Sequence, residues 1–274
     1  GRTTLTGEGL QHADGHSPLI AQTNPAVVHY DPAFSYEISH IVEAGMNRMY
    51  GSTDEHPHGE DVIYYLTVYN EAQVQPPEPD DLDADGLLRG AHLLRPTGGD
   101  APARARIMAS GVSVPSALQA QETLATEYGV GVDVWSVTSW NEIARDGIET
   151  EQWNLNHLGD EPRTAWITDK LGAAGGAIPS VAVSDYMRAV PDQISRWVDG
   201  PWQSLGTDGF GFADTRAAAR RFFQVDAESI VVATLAELVG TGDVEASVAE
   251  QAFATLRIDD PTAVAGVAQD GADA

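Results

Sequence analysis

Cysteine is absent from this 274-residue chain, which removes disulfides, thiolate metal ligands and a cysteine nucleophile in one step. Lysine is nearly absent: Lys170 is the only one, so arginine carries the remaining fixed positive charge. With 15 Lys and Arg against 41 Asp and Glu, the formal charge of -26 argues against a nucleic-acid partner. A salt-adapted surface, attraction to a basic partner domain and ordinary solubility would each produce such an excess, and composition does not separate them. No apolar run approaches the roughly 20 residues that span a bilayer, and the first residues lack the basic-then-apolar pattern of a signal peptide. The expectation is a cytoplasmic protein with no membrane partner. What is present is 42% hydrophobic residues over a length that suits one large or two modest domains.

Asp31 and Pro32 read as the N-cap and first residue of an amphipathic helix, with Phe34, Ile38, Ile41, Val42, Met46 and Met49 at helical spacing up to Gly51. Asp61 to Tyr69 (DVIYYLTVY) is a run of β-branched and aromatic residues that predicts a strand of a parallel sheet, buried on both faces. The stretch QPPEPDDLDADG predicts a linker, since only Leu82 in it is apolar enough to bury. Beyond it the pattern predicts a strand at 104–110, a helix over 115–128 stopped by Gly129, and a strand at 132–137, together a right-handed βαβ unit. Ser139 and Glu142 form a capping box for a short helix to Arg145, stopped by Gly147. A strand is expected at 180–183, then helices near 185–198, 215–223, 227–239 and 244–256, with Asp214 and Asp226 as N-caps. The fold class is α/β with a mostly parallel sheet.

The first 17 residues, GRTTLTGEGLQHADGHS, concentrate ionisable groups in a glycine-rich run. Glu8, His12 and His16 are each four apart, the spacing of a zinc-binding helix, but Gly7, Gly9 and Gly15 would each cost about 1 kcal/mol in a helix with no apolar stripe to offset them. A loop is therefore expected. It either presents Glu8 and His12 to a ligand, histidine being suited to proton transfer near neutral pH, or is a solvated surface loop. Asp14 and His16 are secondary candidates. The loop Gly206 to Gly211 (GTDGFG) has the glycines of a phosphate cradle but no P-loop lysine, and Asp208 would repel an anion, so a structural turn is expected. His40 reads as structural. His56 and His58, beside Glu55 and Glu60, match no closed zinc site and read as surface chemistry, so no metal site is assigned.

The order of these blocks carries more than any one of them. GRTTLTGEGLQHADGHS, Tyr30-Asp31-Pro32-Ala33, Met49-Tyr50-Gly51, Tyr64-Tyr65-Leu66-Thr67 with Asn70-Glu71, Tyr128 to Gly131, Asp133 to Ser139 and Leu205 to Gly211 together resemble the single-chain, homodimeric pyruvate dehydrogenase family, enzymes that use thiamine diphosphate. The resemblance runs to about residue 258. It implies the second half of a transketolase-like pyrimidine-binding domain over 1–74, an acidic, proline-rich linker over 75–97, a transketolase-like carboxy-terminal domain over 98–258 and an acidic tail over 259–274.

The resemblance also implies the chemistry: decarboxylation of pyruvate on thiamine diphosphate with magnesium, and transfer of the acetyl unit to a lipoyl group of the dihydrolipoyl acetyltransferase component. By motif match, His12 takes the position of a substrate-placing histidine and Glu8 that of a neighbouring active-site carboxylate. The family's cofactor-binding motifs and its catalytic glutamate precede the equivalent of Gly1. The chain is thus expected to be a carboxy-terminal portion that begins inside a domain and neither binds thiamine diphosphate tightly nor turns over pyruvate by itself. Two other readings compete with it. One is a zinc hydrolase on Glu8, His12 and His16; the other is an inert dimerisation or interaction module.

Overall fold

The computed structural model describes residues 1–98, 104–260 and 262–263. After a 3₁₀ turn at Leu10–His12, the short helix α1 (Ser17–Gln22) leads into β1 (Val27–Tyr30), the long helix α2 (Ser35–Tyr50) and β2 (Ile63–Leu66). β1 and β2 are parallel, with Val27 opposite Ile63 and Tyr30 opposite Leu66, so the first region is one βαβ unit around a two-stranded sheet. Val28 and Tyr30 enter the core, while His29 projects to the other face against Tyr65, as alternation along a strand requires.

Two expectations fail in this region. Asp31 does not cap α2: the helix starts four residues later, and Glu37 folds back to accept from the backbone N–H groups of Ala33 at 2.6 Å and Phe34 at 3.1 Å. Asp31 is instead buried in a network described below. Nor is β2 covered on both faces. The strand is four residues long, Ile63 is 61% exposed, and β1 is its one sheet neighbour among the described residues.

The stretch expected to be a linker is partly built into the second region. Asp83 caps α3 (Ala84–Arg89) by accepting from Gly86 N–H at 3.0 Å, Leu87 is fully buried, and Gly90 takes the left-handed conformation that ends the helix. β3 (His92–Arg95) then joins a five-stranded sheet with β4 (Ala105–Ala109), β5 (Val132–Ser136), β6 (Ser180–Val183) and β7 (Trp202–Leu205). The order is β3-β5-β4-β6-β7, with β3 antiparallel and the rest parallel.

Alternate side chains of this sheet feed two layers. Ile107, Val134 and Val181 enter a core with α4 (Val114–Tyr128), while Met108, Trp135 and Ala182 enter another with α5 (Trp140–Asn156) and α6 (Trp166–Ala173). Past β6, α7 (Ala189–Asp192) and a 3₁₀ turn (Ser195–Trp197) replace the single helix expected over 185–198. α8 (Arg216–Phe223), α9 (Ala227–Thr241) and α10 (Ala246–Thr255) complete the chain, α9 and α10 lying on the α4 side. Asp226 caps α9, whereas α8 is capped by Thr215 and not by Asp214. α5 also runs past its expected stop. Gly147 lies inside it because the Trp197 ring occupies the space a Cβ would need, 2.4 Å away. The acidic tail over 259–274 falls mostly outside the described residues.

The two regions share a core. Val28, Tyr30, Phe34 and Ile41 of the first belong to the same apolar cluster as Ile107, Val134 and Leu235 of the second. The free edge of β1 is tied to α5, with Ser139 Oγ donating to His29 O at 2.5 Å and Arg145 donating to Pro25 O and Val27 O at 2.6 and 2.8 Å.

Candidate active site

The first 17 residues form an anchored strap with a projecting tip. At the entry, Arg2 N–H donates to Asp185 O at 3.1 Å and Thr3 N–H to Asp185 Oδ1 at 3.0 Å. Arg216 Nε donates to Thr4 O at 2.8 Å and Arg220 Nε to Thr3 Oγ1 at 3.2 Å. At the exit, Met187 N–H donates to Gly15 O at 2.9 Å, and the Arg2 guanidinium donates to Ala13 O at 3.2 Å and to Thr207 O. Between these anchors residues 6–12 are exposed. The glycines make this course possible, Gly7 taking a positive φ of 67°.

Glu8 and His12 are brought together at the tip, His12 Nε2 lying 3.9 Å from Glu8 Oε2 with both side chains about half exposed. That separation is longer than a direct hydrogen bond and leaves both groups free to meet a ligand. Asp14 and His16 are not part of that pair. Asp14 Oδ1 accepts from His16 N–H at 2.9 Å and Ser17 N–H at 3.0 Å, and its other oxygen accepts from Ser17 Oγ, so this carboxylate closes the first turn of α1. His16 Nδ1 lies 3.7 Å from Asp14 Oδ1. The helix that a Glu8, His12 and His16 zinc site requires does not form, and among the described residues no group of three or more His, Cys, Asp or Glu is arranged to hold a metal ion.

Behind the strap lies a buried polar network. The Asp31 carboxylate accepts from Thr67 Oγ1 and Ser110 Oγ, each at 2.7 Å, and from the Tyr69 hydroxyl. Burial and the Asp31 charge push the Tyr69 phenol far above its ordinary value, and the same two causes raise Tyr186. Burial also raises Asp185. Arg220 forms a two-pronged pair with Glu71, one contact at 3.0 Å. Asp31, Glu71, Asp185, Arg216 and Arg220 were absent from the sequence-based candidates. The one local signal for them is two arginines four apart on a predicted helix in a chain poor in cations.

Elsewhere, Gly206 to Gly211 is a turn whose Asp208 accepts from Arg188 N–H at 3.0 Å and Nε at 2.6 Å, so its acid is spent on a neighbouring arginine. His40 pairs with Glu78 at 3.1 Å, and His56 sits in a turn closed by Thr53. Within the first region His29 is buried with no hydrogen-bond partner on either ring nitrogen, and burial lowers it to about 4. No helix among the described residues is long and apolar enough to cross a membrane.

Residues 90–226 match the transketolase-like C-terminal domain, and residues 1–76 match the pyruvate dehydrogenase E1 component middle domain. The chain is 56% identical over 267 residues to the pyruvate dehydrogenase E1 component of Mycolicibacterium smegmatis, covering 97% of this chain and 28% of that protein. It is 54% identical over 263 residues to the Mycobacterium tuberculosis E1 component, covering 96% of this chain and 28% of that one. The chain thus spans a little over a quarter of the curated relatives it matches. Among solved structures it resembles transketolase from Campylobacter jejuni, with a TM-score of 0.59 at 14% identity over 86% of this chain and 30% of that one, a likeness of fold.

Proposed function

This chain belongs to the transketolase-like C-terminal domain family, and from that premise we propose that it forms part of a pyruvate dehydrogenase E1 component. The observation that carries the reading is 56% identity sustained over 97% of the chain, across both matched domains. In this reading the whole protein is a homodimer that decarboxylates pyruvate on thiamine diphosphate with magnesium and passes the acetyl unit to lipoyl groups of an acetyltransferase component. The described residues do not themselves fit the cofactor's diphosphate and cation, because no cluster of carboxylates or imidazoles is arranged to hold a metal ion and the 206–211 turn spends its acid on Arg188. The chain's own contribution is the tip.

His12 presents an imidazole that can hold or hand over a proton at Nε2, and the Glu8 carboxylate, 3.9 Å away, compensates the ring's charge when it carries that proton. An exposed tip anchored at both ends suits the placing of a small 2-oxo acid. Asp14 and His16 serve the turn that leads away from the tip.

Taken alone, the chain acts as an interaction module, the second reading. Val42, Met46 and Tyr50 of α2 and Ile63 of β2 are large apolar side chains left exposed, as a surface covered in the whole protein would be. The test of the first reading is His12→Ala in the full-length protein, with pyruvate turnover followed by an artificial electron acceptor. A fall of about 10²-fold or more is expected for loss of a positioned acid/base group, and unchanged kinetics would overturn the assignment.

A further inference from the structure

Arg2 is 7% exposed, and none of the ion pairs among the described residues involves it. Its polar contacts are backbone carbonyls: Nε donates to Ala13 O at 3.2 Å and Nη1 to Thr207 O. Burying a guanidinium without a carboxylate is costly, and burial lowers the pKa of Arg2 although Asp14, Asp208 and Asp185 offset this from further away. Ala13 directly follows His12. Thr207 belongs to the turn after β7, and Thr207 N–H donates to Tyr186 O at 2.8 Å, so one side chain joins the exit of the tip to the ends of two sheet strands.

The fit is close on the remaining side. A Cβ on Gly15 would lie 2.4 Å from the Arg2 Cζ, and one on Gly211 would lie 2.6 Å from the Ala13 Cβ. Glycine at both positions leaves room for the clamp. The planar fork of arginine spans two divergent carbonyls, which a lysine ammonium on one flexible stem cannot do in the same geometry.

We propose that Arg2 is the positioning residue of the tip: its guanidinium fixes the Ala13 carbonyl and thereby the direction in which His12 points. The inference rests on the reading of His12 given above. It does not make Arg2 a catalytic residue, since the side chain is buried behind the tip and reaches backbone only.

The test is a double-mutant cycle in the full-length protein, with Arg2→Lys, His12→Ala and the pair assayed for pyruvate turnover with thiamine diphosphate, magnesium and an artificial electron acceptor. Arg2→Lys should lower kcat about tenfold or more while KM changes less than about threefold, and the same change in the His12→Ala background should cost less than about twofold. A residue that merely held the fold together would lower activity by the same factor in both backgrounds. Gly15→Ala, which keeps Arg2 but crowds it, should give the same pattern. An undiminished loss in the His12→Ala background, or wild-type kcat in both Arg2→Lys and Gly15→Ala, would overturn the proposal. If His12→Ala is itself silent the functional reading fails, and Arg2 is judged by amide exchange in the full-length protein. Residues 11–13 must then exchange about tenfold faster in Arg2→Lys with β4 unchanged, and equal rates would overturn it.

Discussion

β2 (IYYL) and β4 (ARIMA) are both parallel strands, yet every residue of β4 is buried, Arg106 included, whereas β2, apolar and aromatic throughout, begins with Ile63 exposed to 61%. β4 has strands on both sides and helices on both faces; β2 has β1 beside it and one face against the shared core. The more apolar sequence is the more exposed strand, so the neighbours and not the strand residues make the difference. Burial is set by what surrounds a strand, and each fully buried apolar side chain is worth about 1.5–3 kcal/mol relative to exposure. The second region therefore works as the scaffold, and the strap holding Glu8 and His12 is anchored on it at Asp185, Met187, Thr207 and Asp214 although it lies in the first region of the sequence.

The largest effect should separate the regions by core truncation. Trp135→Ala, which empties the layer beneath α5, is expected to cost about 3–5 kcal/mol in denaturant unfolding, whereas Ile63→Ala in the same chain should stay within about 0.5 kcal/mol. Similar costs at the two sites would break the comparison. Acid sharpens it next. His29 is neutral when folded and takes a proton near pH 4, while the unfolded chain takes it near 6.5, so the unfolded state binds more protons as pH falls. The stability present above pH 6.5 should be lost between 6.5 and 4, by about 3 kcal/mol from this one group, and His29→Phe should flatten that part of the pH–stability curve. An unchanged acid limb in the variant would show that His29 is not the group responsible.

Much of the scaffold was legible because its signals are local. Residues 180–183 were expected as a strand and form β6, Gly129 ends α4 in the left-handed conformation at φ 62°, and Asp226 caps α9. β3 and β7 were missed because each is four residues long, mixes polar with apolar side chains and lies at a sheet edge, where no alternation is enforced. The length of α5 was hidden by Gly147, whose purpose is set by Trp197, fifty residues away.

At the site the spacing of Glu8 and His12 was visible in the sequence, but the work of Asp14 in closing a turn was not separated from theirs. Arg2, Asp31, Asp185 and Arg220 could not be found from local pattern. Their partners lie far along the chain, as Thr3 does from Arg220, and pairings of that kind exist only once the two regions meet.

The measurement that tests the account most directly is complementation. This chain is mixed with a separately expressed amino-terminal portion of a related E1 component, together with thiamine diphosphate, magnesium, pyruvate and an artificial electron acceptor. The account predicts turnover from the mixture that neither part shows alone and that His12→Ala abolishes. An associated but inactive mixture, or activity indifferent to His12→Ala, would contradict it.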